Sequence, residues 1–420
     1  MDHFIYKNAA LHAENVALAD IAKDVGTPFY CYSSATLVRH YRVFSDALKD
    51  VNSLICYAVK ANTTLAIIKT LAREGSGADV VSGGEINAAL AAGVPAQKII
   101  FSGVGKTTEE IEYALSQDIF QFNVESEAEL YALSHVAGTL KKTANIALRV
   151  NPDVVPETHA KISTGQKESK FGVPIKEAIE ICNRAAALPG LKVQGVSIHI
   201  GSQLTNLLPF KLAFEKVAEL VPQLRKAGHA ITTVDLGGGL GIPYGNQSAP
   251  PLPSAYAEIV KEATKKLNAR IIFEPGRLLV GNAGIMVTRV IYVKRSKERV
   301  FIIVDAGMND LTRPAMYNAY HDIVPVVADE GGETELVDVV GPVCESSDVF
   351  ATGRLLKVPK AGDLLAFRSA GAYGASMAST YNARPLIAEV MANGSSYAVV
   401  RKRQTYEDLL KRDVIPDWLK

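Results

Sequence analysis

The sequence predicts a two-domain α/β protein, a (β/α)8 TIM-like barrel followed by a second, mainly β domain. Three observations carry that reading. At 420 residues the chain is longer than one hydrophobic core usually grows. Up to about Val280, short apolar runs alternate with segments whose apolar residues recur at helical spacing, and the alternation repeats eight times. Beyond that point the helical spacing fades and Gly and Pro punctuate strand-like runs, which marks a different layer.

The opening residues Phe4 to Ser33 read as strand-rich, with Pro28-Phe29-Tyr30-Cys31-Tyr32 ahead of a first helix near Thr36–Lys49. The expected boundaries are residues 1–35 for these strands, which can join the β domain, 36–280 for the barrel, and 281–420 for a sandwich or barrel-like β domain. Barrel strands are expected at Leu54–Ala58, Ala78–Val81, Lys98–Phe101, Ile119–Asn123, Ile146–Val150, Val193–Ile200, Thr232–Leu236 and Arg270–Phe273. Helical spacing falls between them at Thr64–Arg73, Gly84–Ala92, Thr108–Leu115, Glu125–His135, Pro174–Ala187, Phe210–Lys226 and Ser254–Leu267. Short strands joined through amphipathic helices run parallel, and eight of them favour closure. Periodicity does not report closure, so an open doubly wound sheet of the same strands stands as the alternative. In the β domain, Ile285–Tyr292, Val300–Asp305, Glu335–Val340, Asp363–Ala366 and Ala398–Lys402 read as strands, with joins at Gly331-Gly332, Gly341-Pro342 and Pro359.

Lys+Arg at 45 against Asp+Glu at 44 leave a net charge of +1. That balance argues against nucleic acid or an anionic membrane and for a small-molecule partner. Four scattered cysteines (Cys31, Cys56, Cys182, Cys344) with no CxxC pair suit free thiols in a reducing cytoplasm, with no metal site expected. The N-terminus lacks the pattern of a signal peptide. The most apolar stretch, Ile271 to Val293, is broken by Glu274, Pro275, Arg277 and Arg289, so no bilayer span is expected. A soluble, cytoplasmic protein follows.

Loops after barrel strands build the active site at one end, and the singular residues fall there. Lys60 follows the first strand in Tyr57-Ala-Val-Lys-Ala-Asn62, and His199 ends the sixth in Ser197-Ile-His-Ile-Gly-Ser202. Gly237-Gly238-Gly239 follows the seventh, and Glu274-Pro-Gly-Arg277 the eighth. Each alone has a plain reading: a solvated lysine, a core histidine, a tight turn. Their shared position lowers the odds of that. Glycine amides at helix starts suit a phosphate, a lysine in a partly dry site can form a Schiff base, a carboxylate can pair with a protonated ring nitrogen, and a histidine can stack on a ring. Together these describe pyridoxal phosphate (PLP). Gly103-Val-Gly-Lys-Thr-Thr108 imitates a P-loop, but the glycine required five residues before Gly105 is Ile100. Leu236-Gly-Gly-Gly-Leu-Gly241 lacks the dinucleotide spacing and comes too late in the chain.

From Tyr57 to Tyr381 these motifs resemble, in order, the fold-type III PLP decarboxylases, and among them the diaminopimelate decarboxylases. Tyr57–Asn62 is similar to the family's cofactor-lysine motif, Ala78-Asp-Val-Val-Ser-Gly-Gly-Glu85 to the segment that follows it, and His199-Ile-Gly-Ser-Gln203 to its stacking histidine and phosphate serine. Gly341-Pro-Val-Cys-Glu-Ser-Ser-Asp348 resembles the catalytic Cys-Glu segment, and Ala370-Gly-Ala-Tyr-Gly374 the last cofactor contact. The resemblance implies PLP held by Lys60, Asp79, His199, Ser202, Gly237, Gly238, Gly239, Glu274, Gly276, Arg277 and Tyr373. It implies substrate held by Arg277, Arg313, Tyr317, Glu345 and Tyr373. It makes Lys60, His199 and Cys344 the catalytic residues, with Cys344 the proton donor, and a homodimer in which Cys344 and Glu345 serve the neighbouring subunit's site.

Gln203, the segment Met308-Asn-Asp-Leu-Thr-Arg-Pro-Ala-Met-Tyr317 and Glu345 distinguish the diaminopimelate enzymes from relatives acting on ornithine or arginine. The expected reaction is conversion of meso-diaminopimelate to L-lysine and CO2. The chemistry agrees, because a second carboxylate on the substrate wants bidentate arginines, for which Arg277 and Arg313 stand. Arg313 also has a reading as a surface salt-bridge residue. Glu157-Thr-His-Ala-Lys-Ile-Ser-Thr-Gly165 departs from many relatives in having Ala160 after the histidine. Rival readings are a polyamine-pathway decarboxylase, an alanine racemase, a non-catalytic relative of the antizyme-inhibitor kind, and a cofactor-free phosphate-binding barrel.

Overall fold

The computed structural model describes residues 2–154, 170–245, 249–328 and 334–419. The loop with Ala160 and the Gly331-Gly332 join lie outside the described residues. The chain divides into two compact units, Leu37–Val280 and Met1–Thr36 with Gly281–Lys420.

In the first unit, parallel strands at Ser53–Ala58, Gly77–Val80, Ile99–Phe101, Gln121–Val124, Ala144–Asn151, Leu191–Ser197, Thr233–Asp235 and Arg270–Phe273 pair in sequence order. The eighth pairs back onto the first (Ile272 opposite Leu54), so the sheet closes and the open alternative is set aside. A two-residue strand, Val173–Pro174, hangs on the fifth. Strands buried on both faces read as continuous apolar runs, which is why their positions show so clearly in the sequence. Helices between them start on side-chain caps: Ser82 accepts from the Glu85 amide, Ser126 from the Glu129 amide, and Thr107 forms a full capping box with Glu110. Below the site, Leu54, Cys56, Ile100 and Ile272 pack inside the barrel. Outside it, Phe44 and Tyr256 meet Phe273, and Phe210 and Phe214 meet Tyr256, in edge-to-face and tilted contacts that fasten three helices to the eighth strand.

The second unit is built on the twelve-residue strand Gly284–Arg295. Phe29–Ser33 and Leu364–Phe367 run antiparallel to its first half and Val300–Val304 to its second. Beyond these lie Thr334–Val340 and Val349–Lys357 on one side, and Ala388–Asn393 and Ser396–Arg401 on the other. The N-terminal strand Phe29–Ser33 is thus central to this sheet. Phe4, Leu11, Leu18, Ile21, Phe29, Ile285, Val287 and Val390 share one core.

The opening segment departs from a purely strand-rich reading. Leu18–Val25 is a helix, and Leu18, Ile21 and Ala22, three and four apart, are its buried face. Strands Ile323–Pro325, Val349–Lys357 and Ala388–Asn393 are additions to the sequence reading. The sixth barrel strand ends at Ser197, so His199 lies in the loop beyond it.

Candidate active site

At the C-terminal ends of the barrel strands, Lys60 Nζ lies 2.8 Å from Asp79 Oδ2. Lys60 sits in a single 3-10 turn, Val59–Ala61, directly after the first strand, and Asp79 is fully buried on the second. The other oxygen of Asp79 is buried with no hydrogen-bond partner. Such an atom is expensive unless a donor arrives. Glu85, on the following helix, accepts from the Val81 amide, and burial pushes its carboxyl up to about 7, with the Asp79 charge also raising it.

Asp235 and Glu274 lie deeper, on the seventh strand and just after the eighth. Burial, then the charges of Asp235 and Asp79, push the Glu274 carboxyl well above the usual range, while Lys60 opposes this. Asn123 Nδ2 donates to Asp235 Oδ2 at 2.8 Å and to Glu274 Oε1 at 3.1 Å, and the Gly237 amide donates to Asp235 Oδ1 at 2.9 Å. Lys60 thus pairs with Asp79 and acts by its charge on Glu274, while Asp79 and Asp235 both oppose ionisation of Glu274. His199 is held well below its ordinary value by burial, then by the Arg149 and Lys60 charges, so its ring is neutral. The Gly238 amide donates to its Nδ1 at 3.3 Å. Arg149 in turn donates to the buried Glu125 at 2.7 Å.

The glycine triplet leaves no room for side chains. A Cβ on Gly237 would stand 2.5 Å from the Ile198 carbonyl oxygen, one on Gly238 2.2 Å from that of Glu274, and one on Gly239 2.3 Å from that of Gly201. Gly237 (φ +68°) and Gly239 (φ +108°) also adopt left-handed backbone. On Gly276 a Cβ would press on Ala58 and Ala61 at 3.1 Å. Arg277 is buried and donates to the Tyr244 hydroxyl at 2.7 Å and to Ser202 Oγ at 3.3 Å. Gln203 clamps the neighbouring loop: its Nε2 donates to the Ile242 carbonyl and its Oε1 accepts from the Ile242 amide. These residues fit PLP on three counts: an amine beside a half-satisfied buried carboxylate, a neutral flat imidazole, and a glycine cradle next to buried acids.

In the second unit, Arg313 opens the short helix Arg313–Tyr317. It is buried, against its surface reading, and donates to His321 Nε2 at 2.9 Å, so His321 Nδ1 donates onward to the Arg368 carbonyl. Tyr317 is half-buried at the end of that helix. Cys344 is a free, exposed thiol on the Gly341–Asp348 turn, and its amide donates to Asn382 Oδ1 at 2.8 Å. Asp348 ties this turn by accepting from the Met308 and Val343 amides. Glu345 accepts from the Tyr381 hydroxyl at 2.9 Å. Tyr373 has left-handed backbone, φ +56°. Within the barrel the structure brings together Lys60, Asp79, His199, Ser202, the glycines, Glu274 and Arg277. Within the second unit it holds the Cys344–Glu345 turn against Tyr381 and Asn382. The sequence reading missed Asp235, Asn123, Arg149, Tyr244 and Tyr381. Only Asp235 carried a signal, an acid two residues before the glycine triplet.

No helix of the described residues is long and apolar enough to cross a membrane. Residues 34–281 match the family described as pyridoxal-dependent decarboxylase, pyridoxal binding domain. The diaminopimelate decarboxylase of Zymomonas mobilis is 50% identical over 420 residues, 99% of each chain. That of Aquifex aeolicus is 45% identical over 406 residues, 97% of this chain and 96% of the relative. Among solved structures, diaminopimelate decarboxylase from M. jannaschii in co-complex with L-lysine matches at TM-score 0.95 and 39% identity over 100% of both chains. The Helicobacter pylori enzyme complexed with L-lysine matches at TM-score 0.90 and 43% identity, over 94% of this chain and 98% of that one. The chain belongs to the PLP-dependent decarboxylases, in the diaminopimelate decarboxylase family.

Proposed function

We propose that the chain removes one carboxylate of meso-diaminopimelate as CO2 and leaves L-lysine, using PLP. The observation that carries this is the barrel-end cluster, in which Lys60, paired at 2.8 Å with buried Asp79, stands among Glu274, neutral His199 and the glycine cradle. PLP, when bound, supplies an electron-accepting ring for the pair left behind as CO2 departs. Lys60 is the amine for its aldehyde carbon, and Glu274 keeps a proton on the ring nitrogen. His199 offers its flat face to the ring, and the glycine cradle of Gly237–Gly239 and Gly276 gives the phosphate room. The Gly239 and Gly276 amides, with Ser202, hold it, the Gly237 and Gly238 amides being taken by Asp235 and His199. Arg277, Arg313 and Tyr317 hold the substrate's remote carboxylate, Glu345 meets the remote ammonium, and Tyr373 contacts cofactor and substrate. The Cys344 thiol returns a proton to the carbon that lost CO2. The working unit is a homodimer in which Cys344 and Glu345 act in the neighbouring subunit's site. The exposure of Cys344 and Glu345 supports that reading. Four free thiols fit a reducing, cytoplasmic setting.

The test is CO2 release from purified, PLP-loaded protein offered meso-diaminopimelate, ornithine, arginine and lysine in parallel. Release from diaminopimelate alone, with lysine as product, is expected. Release from ornithine or arginine instead would overturn the roles of Arg313 and Glu345, and silence with all four would overturn the reaction.

A further inference from the structure

The barrel interior holds a polar chain that runs up to Glu274. Gln121 and Asn123 point inward from the fourth strand, two residues apart, as do Thr233 and Asp235 from the seventh. Gln194 Nε2 (3.1 Å) and the Thr233 hydroxyl (2.7 Å) both donate to Gln121 Oε1. Gln121 Nε2 donates to Asn123 Oδ1 at 2.8 Å, and Asn123 Nδ2 donates to Asp235 and Glu274. Only one orientation of these amides works. Reversing Asn123 would set its carbonyl 2.8 Å from a carboxylate oxygen of Asp235, so the acids fix Asn123, Asn123 fixes Gln121, and every donor points toward the carboxyls. All of these groups are buried.

The distribution of donors is unequal. Asp235 receives Asn123 at 2.8 Å and the Gly237 amide at 2.9 Å, one on each oxygen. Glu274 receives only longer contacts, Asn123 at 3.1 Å and Ser102 at 3.3 Å, on a single oxygen. Burial raises both carboxyls, but donors favour the charged form, so the better-supplied Asp235 ionises first and Glu274 is the member that keeps a proton.

On the reading that PLP occupies this site, we propose that Asp235 is a positioning residue: its charge, fixed by the Gln121–Asn123 chain and the Gly237 amide, sets how firmly Glu274 keeps the proton of a bound ring nitrogen. When a basic ring nitrogen meets Glu274, the proton stored on Glu274 passes to that nitrogen, and Glu274 becomes the carboxylate that accepts the resulting N–H. The neighbouring Asp235 charge opposes any loss of that proton from the pair. The other titratable groups around the pair are Asp79 on the second strand, Lys60 after the first, the buried Cys56 thiol on the first, Tyr256 on the helix after the seventh and neutral His199 after the sixth. Of these only Asp79 adds a second negative charge, and Lys60 sits against it at 2.8 Å.

The probe is pyridoxine 5′-phosphate, which has the ring nitrogen and phosphate but an alcohol in place of the aldehyde, so Lys60 cannot condense with it. The absorption of the bound ring reports its protonation as pH is raised. Removing the negative charge in Asp235→Asn makes the ring N–H easier to lose. Its titration should fall by about one pH unit or more, roughly a tenfold change in the protonated-to-neutral ratio at fixed pH. Thr233→Val removes a donor from the same chain without touching a charge, and its titration should match wild type. Should Asp235→Asn fail to fold, Asn123→Ala tests the same chain with the opposite sign: it strips a donor from both carboxyls and leaves the Asp235 charge less compensated, so the titration should rise. An unchanged titration in the variant that folds overturns the inference, and so does an equal shift in Thr233→Val. Failure of the wild-type protein to bind the probe counts against the cofactor reading instead.

Discussion

Lys106 Nζ donates to the Gly103 and Asn123 carbonyls at 2.7 and 2.9 Å and to Glu129 Oε1 at 2.6 Å, with its side chain only 1% exposed. Glu129 spends its other oxygen on the Glu125 amide at 2.9 Å, so one buried ion pair ties the loops after the third and fourth strands. This is the lysine of the P-loop imitation, and its ammonium is consumed by structure. A buried pair adds little net stability over an apolar pair, but breaking it leaves an uncompensated charge. Lys106→Met should therefore cost about 3–5 kcal/mol in urea unfolding at neutral pH, and adding Glu129→Gln should recover part of the loss. The pH dependence has a definite sign. Burial already raises the Glu129 carboxyl against the lowering effect of Lys106, and removing Lys106 raises it further. A group whose folded value is raised stabilises below its unfolded value and loses that contribution as pH climbs through the folded one. The deficit of Lys106→Met should thus be smaller at pH 5 than at pH 8. A pH-independent deficit would remove Glu129 as its cause.

The loops after the sixth and seventh strands behave as one element. The Leu204 amide donates to the Gly239 carbonyl, the Gly241 amide to the Leu204 carbonyl, and Gln203 grips Ile242 from both sides. Gln203, which in sequence marks a substrate class, is therefore a fastener for the glycine turn. The cradle cannot give where backbone opposes backbone. Gly238→Ala, with its Cβ aimed at the Glu274 carbonyl at 2.2 Å, should force a shift costing about 1–3 kcal/mol and weaken PLP binding about 10- to 100-fold by absorbance titration. Gly138→Ala is the contrasting case. That exposed residue lies inside helix Glu127–Leu140 with nothing within 4 Å of an added Cβ. It should raise stability by about 0.5–1 kcal/mol and leave PLP binding unchanged. At this scale the sequence was legible where burial on both faces made a strand continuously apolar, as in Leu54–Ala58, or where one residue stood at a strand end, as with Lys60 and Glu274. It was not legible where partners meet across the barrel. Gln121, Asn123 and Asp235 alternate within apolar strands, and nothing local reports that their side chains converge. Val349–Lys357 escaped because Thr352, Gly353 and Arg354 interrupt its apolar residues, and the helix Leu18–Val25 because its eight residues sit in a segment full of short β runs.

Across the whole molecule the residues proposed for the chemistry are divided between the two units. Lys60, His199 and Glu274 belong to Leu37–Val280, whereas Arg313, Tyr317, Cys344, Glu345 and Tyr373 belong to Met1–Thr36 with Gly281–Lys420. Neither unit holds both Lys60, the amine proposed to anchor the cofactor, and Cys344, the thiol proposed to return the proton. If Cys344 serves the neighbouring subunit, each site of a homodimer takes its lysine from one chain and its cysteine from the other. Lys60→Ala and Cys344→Ala are then each inactive alone but complementary when mixed. In a mixed dimer one site receives both defects and the other receives neither. Equal amounts exchanging at random give half mixed dimers, each with one intact site of two, so recovery should approach about a quarter of wild-type activity. The readout is CO2 release after mixing, with exchange followed separately by tagging one variant and recovering the other with it. If Lys60 and Cys344 served the same chain's site, every site in every dimer would carry one defect, and full exchange would restore nothing.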